Sequence, residues 1–242
     1  MSYHNLDPVL ITETTGRLRE RIDSRFPAAS LGKICRSLEQ ICEKTEERST
    51  WISQPIRPLR MLIWVTVIGI LIFAGTPLIV LTRDFAQLDV TTFLQVLEAG
   101  INDAVLIGAA IFFLFTIETR FKRRRALIAI HELRTIAHLI AMHQLTKDPE
   151  RIFSKQFQHP CSPKLNMSPF ELRRYLDYCS EMLSLAGKIA SLYVQRFDDP
   201  VALASASEVE ALARGLQSKI WQKIMILHSC QPSEELSSLK LS

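Results

Sequence analysis

The residues most suggestive of chemistry lie at His131-Glu132-Leu133-Arg134-Thr135, which opens as a zinc-binding H-E-x-x-H helix would. Such a site needs its second imidazole one helical turn on, and Thr135 stands there instead. The next imidazole, His138, follows His131 by seven residues. That spacing keeps two rings on one face but about 10 Å apart along the axis, too far to share an ion held by bonds of about 2 Å. His143 comes five residues after His138 and diverges from it. No metal site within one chain is expected; a site between subunits or a pH-sensitive helix contact is the sharper alternative to ordinary polar positions on a packed helix. His159-Pro160-Cys161 and His228-Ser229-Cys230 bring thiol and imidazole together in sequence, but no third group orients either pair. The glycines are scattered, with no G-x-x-x-x-G-K or G-x-G-x-x-G loop, and no serine sits in a nucleophile elbow. Catalysis and a bound cofactor are therefore not expected.

A second group of polar residues has a different meaning because of its surroundings. Gln95, Glu98 and Asn102 are spaced three and four apart, on one helical face, with Asp103 adjacent. Gly100, Ala104 and Gly108 repeat every four residues, the small-xxx-small pattern through which membrane helices approach closely. They open an apolar stretch, Ala104–Ile117, of 14 residues, which spans only about 21 Å as helix. Part of 95–103 must then lie at an interface or within a bilayer. Either Glu98, Asn102 and Asp103 sit among headgroups and water, or they face an oligomer axis or a water-filled path.

The elements that position these residues are set by hydropathy. Met61–Leu81 holds 21 residues without a charge, enough to cross about 30 Å of hydrocarbon at about 1.5 Å per residue. The second stretch ends at Ile117 and is followed by Arg120 and Lys122, Arg123, Arg124 and Arg125, five positive charges in six positions. Such a run beside a span suits anionic lipid headgroups better than nucleic acid, at about 1 kcal/mol per basic residue. Arg57 and Arg60 precede the first stretch, whereas the connection Thr82–Asp103 holds only Arg83 against Asp84, Asp89, Glu98 and Asp103. This asymmetry places both termini in the cytoplasm and a short hairpin outside. The first 55 residues contain no signal peptide, so Met61–Leu81 itself would direct insertion. Trp51 and Trp64 fall near the inner boundary.

The chain has 242 residues, a net charge of +4 and 48% hydrophobic residues, the excess lying in the two stretches. Its organisation reads as N-terminal cytoplasmic helices over 1–55, a transmembrane helix over 56–82, an outer loop over 83–93 and a second transmembrane helix over 94–118. A cytoplasmic extension of that helix over 119–146, a loop over 147–168, a helical hairpin over 169–230 and a flexible tail over 231–242 complete it. Asp7-Pro8, Ser168-Pro169 and Asp199-Pro200 each place an N-cap before a proline suited to a first helical turn, and Ser168 with Glu171 has capping-box spacing. Ser30 is expected to cap another helix. No proline falls between Pro77 and Pro149, so one helix is expected from about Val90 to Leu145, its inner part facing a core through Leu127, Ile130, Leu133, Ile136, Ala137, Ile140 and Gln144. In the C-terminal hairpin the facing stripes read as Phe170, Leu172, Tyr175, Cys179, Met182, Ala186, Ile189 and Tyr193 against Val201, Ala204, Val209, Leu212, Leu216, Ile220, Ile224 and Leu227. The five cysteines, none in a C-x-x-C pair, are expected as free thiols in a reducing compartment.

The expected fold is all-α: an integral membrane protein with a two-helix transmembrane hairpin and a cytoplasmic helical bundle, in the inner (plasma) membrane. Three functions compete. The first is a non-catalytic scaffold or adaptor, with membrane lipids and a protein partner on the cytoplasmic helices. The second is a homo-oligomeric channel or transporter component lined by the second span. The third is a membrane-bound enzyme, for which no constellation speaks. No nucleic acid partner is expected.

Overall fold

The structure, a computed structural model, describes residues 6–27, 29–54, 61, 64–69, 72, 90–149, 167–195 and 197–229. All secondary structure among them is helical: α1 (Pro8–Arg25), α2 (Ser30–Ser53), α3 (Val90–Leu145), α4 (Pro169–Val194) and α5 (Pro200–Ser229). The starts are written in the sequence. Asp7 accepts a hydrogen bond from the Val9 amide, Ser168 and Glu171 close a capping box, and Asp199 accepts from the amides of Val201 and Ala202 at 3.1 and 3.0 Å. Ser30 differs from its expected role: it is the first residue of α2, not the cap before it. The uninterrupted helix Val90–Leu145 follows from the missing prolines.

The chain divides into two compact units, 1–53 with 125–242, and 54–124. The first is a bundle. One core joins Leu18 and Ile22 of α1, Leu31 and Leu38 of α2, Ile130, Leu133 and Ile140 of α3, Leu176, Met182 and Tyr193 of α4, and Val209 and Ile220 of α5. On α3 the buried positions are Ala126, Ala129, Ile130, Leu133, Ile136, Ala137, Ile140 and Gln144, the three-and-four spacing of a packed helix face. Two buried hydroxyls find partners: Thr45 Oγ1 lies 2.7 Å from the Ile41 carbonyl and 3.2 Å from the Tyr193 hydroxyl, and Ser49 donates to the Leu192 carbonyl.

Directions within the bundle follow from named contacts. Arg48 of α2 pairs with Glu132 of α3 at 2.7 Å, and the Arg125 guanidinium lies 3.5 Å from the Trp51 ring, so α2 runs antiparallel to α3. Arg134 pairs with Glu208, and Lys223 Nζ donates to the carbonyls of Gln144 and Lys147, so α5 runs parallel to α3. Gln217 reaches the Ser180 carbonyl and Ser191 meets Glu210, which sets α4 antiparallel to α5.

Two stripe assignments are corrected. Phe170 is exposed, its ring covered instead by the guanidinium groups of Arg25 and Arg174. On α5 the buried face begins with Ala202, Ala206, Val209 and Ala213, while Val201 and Ala204 are exposed and Leu212 and Leu216 are half-buried. Near the middle of the hairpin α4 and α5 lie close, since a Cβ at Gly187 would meet Glu210 Cγ at 3.6 Å and its Cα at 3.8 Å.

In the second unit, 61, 64–69 and 72 are helical, as is α3 from Val90 to Arg124. The rest of the expected span Met61–Leu81, the outer connection 82–89, most of the loop 147–168 and the tail 231–242 lie outside the described residues, as do Cys161, Cys230 and His159. Among the described residues one helix is long and apolar enough to cross a membrane: α3, within Leu97–Leu145, with a mean hydropathy of 2.0 and none of its most apolar window buried.

Candidate functional site

The small-residue and polar trios singled out in the sequence sit on α3, upstream of its buried stripe. Gly100, Ala104 and Gly108 are exposed, and a Cβ added at either glycine would meet nothing within 4 Å. Glu98, Asn102 and Asp103 are exposed as well. The helix brings each trio together within about two turns but does not merge them. At about 100° per residue, Asn102 stands about 200° from Ala104, and Glu98 about 200° from Gly100. The seam of small residues and the pair Glu98–Asn102 therefore occupy nearly opposite faces, with Asp103 between them.

Phase carries a second message. Gly108 and Ala126 are eighteen residues apart, about five full turns, so the seam lies on the side of α3 that is buried further along. One face of one helix is thus packed at Ala126–Gln144 and bare at Gly100–Gly108.

The basic run is partly engaged. Lys122 pairs with Glu118 at 3.0 Å along the helix, and Arg125 stacks on Trp51. Arg120 and Arg124 are exposed, while Arg123 is half-buried. The stack joins residues distant in sequence, and no local pattern announces it.

The residues with possible chemistry are otherwise employed. Glu132 is held by Arg48, and Arg134 by Glu208, so the polar positions of the imperfect H-E-x-x motif form cross-helix ion pairs. His131 and His138 are exposed, and His143 Nδ1 lies 2.9 Å from the Leu139 carbonyl. Among the described residues no group of three His, Cys, Asp or Glu side chains could hold a metal ion. Burial pushes the thiols of Cys35 and Cys179 up to about 12, and that of Cys42 upward as well, away from the thiolate a nucleophile requires. Burial also lowers Lys223, whose ammonium caps the C-terminus of α3. Comparison with protein-family models, with curated proteins and with solved structures found no match to this chain.

Proposed function

We propose that the chain is a membrane-anchored helical scaffold, in which a two-span hairpin holds the bundle at the cytoplasmic face of the inner membrane. The observation that carries this reading is the Trp51–Arg125 stack. These residues flank the segment 54–124, which leaves the bundle and returns to it at one place. A segment whose ends meet crosses a bilayer an even number of times. The bare apolar part of α3 supplies one crossing, and Met61–Leu81, with 64–69 helical, is the stretch suited to the other. The imbalance of basic residues turns the hairpin tip outward. A soluble protein would gain about 25 cal/mol for each Å² by covering the exposed Ile101, Val105, Phe112 and Phe113, whereas lipid makes their exposure favourable.

In this arrangement Met61–Leu81 is the neighbour of the seam Gly100, Ala104, Gly108, because a row of small residues admits the close approach of a second membrane helix. Cysteine pairs joining position 104 to positions 66–72 in a background lacking the native cysteines test this. Disulfides within one chain support it, and products only between chains contradict it.

The channel reading has one specific support: Glu98 and Asn102 face away from the seam and are exposed in the single chain, while ionisable groups in membranes do not face lipid. A symmetric ring in detergent would favour it over the scaffold. A monomer would remove it.

A further inference from the structure

The bundle has two ends, and the chain contacts sort its exposed apolar side chains between them. One end collects the N-terminus of α1, the C-termini of α2 and α4, the N-terminus of α5 and the first buried turn of α3. Leu6 donates its amide to Gln195 Oε1 there, Arg125 stacks on Trp51, and α4 and α5 are joined through 195–199. Leu6, Val9 and Leu10, Trp51, and Val201 and Leu203 are exposed at this end, Val9 and Leu10 by 63% and 60%. Three separate helices thus present uncovered apolar groups where the segment 54–124 departs and returns.

We propose that this end of the bundle is a membrane-docking face, whose apolar side chains enter the boundary between headgroups and acyl chains of an anionic cytoplasmic leaflet. The proposal rests on the membrane-anchor reading and adds the orientation of the bundle. Only eight residues separate Ile117 from Arg125, about 12 Å as helix, so the tether leaves no room to swing this end away from the bilayer. Exposure alone does not choose the end, since Met142, Leu145, Trp221 and Met225 are equally bare at the other. The tether chooses it. Charge agrees: Arg120 and Arg124 are exposed in the run beside this end, while the two helix N-termini and two helix C-termini gathered here offset one another. The acidic groups here are accounted for in part, because Asp7 and Asp199 accept backbone hydrogen bonds as caps; Asp198, Glu46 and Glu47 are exposed, Glu47 about one turn before Trp51. Trp51, with an apolar ring under a guanidinium, suits the boundary layer.

The experiment uses the full chain in vesicles of phosphatidylcholine and phosphatidylglycerol with brominated acyl chains. Single-tryptophan variants are made with the other tryptophans changed to Phe: native Trp64 retained alone, Leu10→Trp, Leu203→Trp and Met142→Trp. Emission at 10 and 203 should be largely lost in brominated vesicles, and emission at 142 preserved. Trp64 separates the two claims. Quenching at 64 without quenching at 10 and 203 overturns the docking face and leaves the anchor intact, whereas no quenching at 64 overturns the anchor itself. Unchanged quenching at 10 and 203 in vesicles lacking phosphatidylglycerol would overturn the role given to anionic headgroups.

Discussion

The two halves of α3 share one backbone, one face and one apolar character, yet they meet opposite fates. Between Ala126 and Gln144 the apolar face is buried in the core of the bundle, and the polar side chains on its flanks pair across helices, as Glu132 does with Arg48 and Arg134 with Glu208. Between Leu97 and Phe113 all side chains but the half-buried Ile107, Ala110 and Ile111 are bare, and the only acidic groups, Glu98 and Asp103, stand near its start. A helix face is stable in either state if its solvent matches: protein on one side, hydrocarbon on the other. The boundary falls at Arg120–Arg125, where charge replaces apolar residues.

This contrast breaks most sharply under acidic substitutions. Leu133→Asp buries an unpaired carboxylate in the core, a loss well beyond the about 2–5 kcal/mol of truncation to alanine, and the bundle should unfold. Val105→Asp should leave the bundle folded but oppose insertion, by about 2.5–3.5 kcal/mol if it lies near a bilayer centre. Proteolysis of the bundle and membrane extraction separate the two; equal unfolding by both would erase the distinction between the halves.

The next effect is at the seam. Gly108→Leu fills the space that a neighbouring helix requires and should abolish crosslinking from position 104, while Leu106→Phe, on an already exposed position, should change it little. Within the packed half, Lys223→Met removes the donor to the Gln144 and Lys147 carbonyls at the end of α3. A loss of about 1–2 kcal/mol in chemical denaturation is expected, with no change in membrane association.

The smallest effect is alkaline. Cys35 and Cys179 are raised by burial from 9.0 to about 12, so the folded state holds their protons more tightly than the unfolded chain does. Their contribution is complete below pH 9.0 and is lost as pH rises from there toward about 12. Denaturation midpoints should fall over that window, and less so in Cys35→Ala.

Much of this was legible in the residues. Prolines after Asp7, Ser168 and Asp199 mark helix starts because a cap and a fixed φ act locally, and the length of α3 follows from the absence of breakers. On α5 the buried Ala202 and Ala206 stand beside the expected Val201 and Ala204, because three- and four-residue spacing shows that a helix has a buried face without fixing its phase. The separation of Glu98 and Asn102 from the seam required only counting around a helix once its continuity was known. The Trp51–Arg125 stack had no signal at all, since it depends on how two helices far apart in the chain come together.

That stack underlies the central claim of an even-crossing hairpin, and topology mapping tests it most directly. Reporters placed at residue 50, residue 87 and the C-terminus should give a cytoplasmic signal at the first and third and an external signal at 87. An external C-terminus, or a cytoplasmic position 87, would contradict the account.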